Sequence, residues 1–96
     1  MPELNPIPVD VIQQMKQEFH IAEASPEELA ELDRLCHQLN SVMTYYNNNA
    51  NIENASAVEK SYKILINTFS PKLIIASNTF QTVFQNALYN EIRQAM

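Results

Sequence analysis

The chain has no glycine among its 96 residues, where average usage gives about seven. Phosphate-cradling loops, the dinucleotide fingerprint and the G-x-S-x-G nucleophile elbow all need a backbone without Cβ at fixed points, so none is available. Tight two-residue hairpins also lean on glycine, which turns the reading away from a β-rich fold. What remains is a small helical chain without a readable catalytic motif.

Four helical segments follow from the apolar spacing, at about 8–20, 26–47, 55–69 and 71–95. The first enters through Pro6 and Pro8 and repeats Val9, Ile12, Met15 and Phe19 at helical intervals. The second has the clearest start: Ser25-Pro26-Glu27-Glu28 sets a hydroxyl at the N-cap, proline behind it and glutamate three residues on. Leu29, Leu32, Cys36, Leu39, Met43 and Tyr46 then form its inner stripe, widened by Leu35 and Val42. Asn47-Asn48-Asn49 ends it, asparagine being the non-glycine residue that enters the left-handed region most readily. Asn54 reads as the next N-cap, before Ala55, Val58, Tyr62, Leu65 and Phe69.

Ser70-Pro71 breaks or kinks the chain and caps the fourth segment, whose inner face reads Leu73, Ala76, Phe80, Val83, Phe84, Ala87 and Leu88. The β-branched stretches 62–67 and 73–76 resemble a hairpin, but strict alternation fails over the longer window and helical spacing holds. The expected architecture is one domain over 1–96, a small antiparallel bundle of three to four helices, two of them long.

Composition narrows the function classes. A single cysteine, Cys36, has no internal partner, which fits a reducing compartment. No run of apolar residues is long enough for a membrane span, and no signal segment is visible, so a cytoplasmic location is the expectation. Net charge is −5, unevenly placed: residues 1–33 hold eight acids and one base, and residues 34–96 three acids and five bases. Without clustered lysine and arginine the chain is a poor nucleic-acid binder. The acids read as a solvated face with helix N-terminal charges, or alternatively as a patch that meets a basic partner.

Catalytic and metal-binding combinations are thin. Cys36 and His37 are adjacent on a helix and point about 100° apart, so they cannot form a thiolate–imidazole pair. Asp33 and His37 share a face, and only a distant His20 would complete a metal site. No cofactor and no metal is therefore expected, and a small metal-dependent or thiol enzyme is the weakest reading.

The telling residues are apolar or uncharged ones on outward faces. From Leu73 to Asn90 no residue is charged, although solvent faces of helices usually carry lysine and glutamate. Tyr45, Ile64, Ile75, Thr82, Asn86 and Tyr89 are the candidate partner-binding residues. They point to a non-catalytic interaction module, of adaptor, chaperone or immunity/inhibitor type, that binds a protein partner or itself. A polymerising structural subunit of a secretion apparatus or filament is the second expectation.

Overall fold

In a computed structural model of the chain, residues 3–95 are described. Helix α1 spans Val9–Ile21, α2 Pro26–Asn48, α3 Ile52–Thr68 and the short α4 Pro71–Ala76. A continuous helical rod, 78–95, follows Ser77. It opens with one turn, Asn78–Phe80, widens into a π-helix over Gln81–Leu88 and returns to α geometry at Tyr89–Ala95. No strand is present among the described residues, and the fold is an all-α bundle.

Helix α2 starts as its sequence dictates. Ser25 Oγ accepts the amide of Glu28 at 3.1 Å, and Glu28 Oε1 accepts the amide of Ser25 at 2.8 Å. Ahead of it, α1 ends in a reciprocal pair of bonds, Ala24 N–H to the Phe19 carbonyl and Glu23 N–H to the His20 carbonyl. This Schellman turn needs a left-handed residue where glycine is usual. Here Glu23 takes it, at φ 66°. A side chain there costs about 1 kcal/mol, so Glu23→Gly should raise stability by about that much in urea melts. A neutral or destabilising result would mean that the turn does not adopt this geometry.

Several boundaries differ from the sequence reading. The Asn47–Asn49 run does not turn left-handed; Asn49 ends α2 at φ −150°. Helix α3 begins three residues before the expected start, because Asn51 rather than Asn54 is the N-cap and accepts the Asn54 amide at 2.8 Å. Helices α3 and α4 are separate, with Phe69 and Ser70 extended between them. The fourth segment is itself broken at Ser77, whose fully buried hydroxyl accepts the Phe80 amide at 3.1 Å. Glu18 of α1 clamps that break: its Oε1 accepts from Ser77 Oγ and from the Thr79 amide, both at 3.3 Å.

Side-chain contacts fix the topology. All four phenylalanines gather at one end, Phe19 from α1, Phe69 after α3, and Phe80 and Phe84 from the rod, with ring centroids 4.6–6.2 Å apart along the cluster. At the other end Tyr46, near the close of α2, donates to the Ala95 carbonyl at 3.4 Å. The rod therefore runs in the same sense as α2 and antiparallel to α1 and α3, against which it packs. Residues 3–8 form an extended strap that returns along α2 and buries Leu4 and Ile7 in the common core.

Candidate partner-binding surface

The rod presents four ridges, because its core residues recur every fourth position: Phe80, Phe84, Leu88 and Ile92 are all buried. A plain α-helix repeats at 3.6 residues and would rotate this line off the core. The wider turns of a π-helix keep it there. This rearranges the expected inner face. Ala76 and Ala87 are exposed and Val83 is only half-buried, whereas Ile92 joins the core. Val9 of α1, also assigned to an inner stripe, stands exposed.

Opposite the core, Thr82, Asn86 and Asn90 form an exposed outer ridge. Tyr89 and Arg93 lie on the side facing α3, and Val83, Ala87 and Glu91 on the side facing the strap. Thr82 and Asn86 are thus neighbours, but Tyr89 belongs to the next ridge, where its ring lies 6.4 Å from that of Tyr62. Ile75 is 71% exposed on α4, separated from the ridges by the break at Ser77. Gln81 ties the two pieces together by donating to the Ile75 carbonyl at 2.9 Å. Tyr45 on α2 and Ile64 on α3 are exposed as expected. Neither belongs to the aromatic pairs that join α3 and the rod. The six candidate residues are all exposed, and they do not make one continuous face.

A groove of about 340 Å³ runs between α3 and the rod, lined by Glu59, Tyr62, Lys63, Tyr89, Ile92 and Arg93. Its charges are engaged locally: Lys63 pairs with Glu59 at 2.7 Å, and the Arg93 guanidinium lies 5.6 Å from the Tyr89 ring centre. The Tyr62 phenol donates to the Phe84 carbonyl at 2.8 Å. Burial, and then the neighbouring Tyr89, push its pKa above the ordinary tyrosine value. A second groove, of about 310 Å³, separates the strap from Thr82, Val83 and Ala87.

The acidic third of the chain is partly neutralised in place. Asp33 lies 3.6 Å from Lys16 and 3.7 Å from His37, and Glu31 meets Arg34 at 2.5 Å. No group of three or more histidine, cysteine, aspartate or glutamate side chains suited to a metal ion occurs among the described residues. Cys36 is fully buried, and His37 beside it is exposed.

Sequence reasoning missed the strap entirely. Asn40 and Asn47 of α2 hold it by four hydrogen bonds to Leu4 and Ile7. The available signal was two aliphatic residues three apart, a spacing that polyproline II shares with a helix, set among prolines that favour the extended form. Comparison with protein-family models, with curated proteins and with solved structures gives no match to this chain.

Proposed function

We propose that the chain is a non-catalytic protein-interaction module, of adaptor, chaperone or immunity/inhibitor type, that meets a protein partner or a second copy through the outward ridges of the rod. One observation carries this reading: the charge-free stretch from Leu73 to Asn90 is buried on only one side. A helix enclosed by its own bundle needs no surface charge, but Thr82, Gln85, Asn86, Ala87, Tyr89 and Asn90 are all exposed. Loss of charge with retained aromatic side chains is the composition of an interface core, and tyrosine is enriched among its anchors. The acidic residues of the first third would steer a basic partner and set its on-rate more than its affinity. No helix is long and apolar enough to cross a membrane among the described residues. A cytoplasmic site of action suits the unpaired, buried Cys36.

The test places a charge at the centre of the outer ridge. A buried, unpaired charge costs several kcal/mol, whereas the same charge in water costs almost nothing. Asn86→Glu should therefore weaken association at least tenfold in sedimentation or partner capture, with helical circular dichroism unchanged. Tyr89→Ala should act in the same direction. Association equal to the parent chain in both variants would remove the rod face as the contact. Sedimentation also separates the modes of self-association, since a closed dimer plateaus with concentration and an open polymer keeps growing.

A further inference from the structure

We propose that the groove between α3 and the rod receives the α1–α2 turn of a second copy of this chain, with Ile21 as the inserted side chain. This rests on the reading of the rod as the contact, and names what meets its α3-facing ridge. The turn offers an apolar tip among acids. Ile21 is 74% exposed, and Glu23 and Glu27, close to it in sequence, are exposed as well. The acids that follow are engaged within the chain: Glu28 in the capping box, Glu31 with Arg34, and Asp33 with Lys16. Among the described residues Glu23 and Glu27 form no ion pair.

The groove carries the opposite pattern. Tyr62, Tyr89 and Ile92 line it, together with two cations, Lys63 and Arg93, against one acid, Glu59. Lys63 pairs with Glu59, whereas Arg93 lies over the Tyr89 ring and forms no ion pair among the described residues. Lys60, exposed one turn before Lys63 on α3, adds a further positive charge nearby. A volume of about 340 Å³ is ample for a branched aliphatic side chain. An aliphatic tip flanked by carboxylates thus meets an aromatic hollow edged by cations, and complementarity of this kind selects the partner and its orientation. In a chain of net charge −5, this is the surface that attracts a second copy rather than repelling it.

The backbone of the turn agrees with this role. Glu23 holds φ 66°, a conformation that glycine takes at lower cost. A side chain kept there against that cost is accounted for when its carboxylate takes part in binding. The turn cannot fill the groove of its own chain. Its Ala24 amide is bonded to the Phe19 carbonyl, and Phe19 packs on Phe80 at the start of the rod. Arg93 lies about three turns further along. The occupant is therefore a second molecule, and a second copy brings both the apolar tip and the acids.

Sedimentation of the full chain reads both sides of the contact. The parent chain should self-associate. Ile21→Lys sets a cation against Lys63 and Arg93, in the last turn of α1 where a helix end accepts one, and should weaken association at least tenfold. Arg93→Glu should do the same from the groove side. An equimolar mixture of these two chains should associate again, since each keeps the half of the contact that the other lacks. Glu23→Gly relieves the turn, so it should raise stability in urea while weakening association severalfold, a loss that unfolding cannot produce. Association weakened by Asn86→Glu but indifferent to Ile21→Lys and Glu23→Gly would overturn this occupant and leave the rod as the contact. A parent chain that stays monomeric up to about 1 mM, or a mixture that fails to associate, would overturn it too.

Discussion

Replacing Phe80 with alanine should cost about 3–5 kcal/mol, the usual range for emptying a fully buried aromatic site. Phe80 has no exposed surface, and its ring lies 5.6 Å from Phe19, 6.2 Å from Phe69 and 4.6 Å from Phe84. Those partners come from α1, from the joint after α3 and from the rod. No single element can relax into the space without dragging another, so the cavity closes poorly. The loss is large against the 5–15 kcal/mol that holds a typical domain together. The expected result is a sharp fall in the urea midpoint with the slope preserved. A loss below about 1 kcal/mol would show that the phenylalanine cluster is not closed around Phe80.

The second large effect is alkaline. Burial first, and the nearby Asp33 carboxylate second, push the Cys36 thiol from its ordinary 9.0 up to about 12. Above pH 9 the unfolded chain therefore ionises Cys36 while the folded chain keeps it protonated. The unfolded state then binds fewer protons, and stability falls as pH rises. The contribution is complete below pH 9 and declines through the interval up to 12, by about 1.4 kcal/mol per pH unit. Tyr62, raised above its ordinary 10.0, adds a loss of the same sign at higher pH. The window from about pH 8 to 10 therefore isolates the cysteine. Cys36→Ala should flatten the decline in that window, and a thiol reagent should label the parent chain quickly only in denaturant. Parallel pH profiles for the two chains, or rapid labelling of the folded one, would contradict the buried thiol.

How much of this was legible in the residues depended on the range of the forces involved. Ser25 and Glu28 announced the start of α2 because a cap is settled within four residues. Ser70-Pro71 announced α4 for the same reason. The stripe from Leu32 to Tyr46 could be read directly, since a helix with 3.6 residues per turn buries one side. The exposure of Thr82, Asn86 and Tyr89 was also legible, from their places opposite the apolar stripe in helical spacing, but their arrangement was not. That depended on the π-helix, whose wider turns keep Phe80, Phe84, Leu88 and Ile92 in one line against the core. No local preference for a π turn is written in Gln81–Leu88. The packing of those side chains is what stabilises it.

The strap lies furthest from local reasoning. Its partners, Asn40 and Asn47, are 33 and 43 residues away in sequence. An asparagine inside a helix looks locally like a poor helix former and nothing more. In the packed chain those two amide side chains, on one face of α2, meet an extended segment whose backbone groups they satisfy. The sequence alone determined a glycine-free, all-helical chain with a charge-poor C-terminal third, because periodicity, capping and composition act over a few residues. The break at Ser77, the ridges of the rod and the seating of residues 4–7 were decided by tertiary structure, where burial and hydrogen bonding join residues that the chain itself keeps far apart.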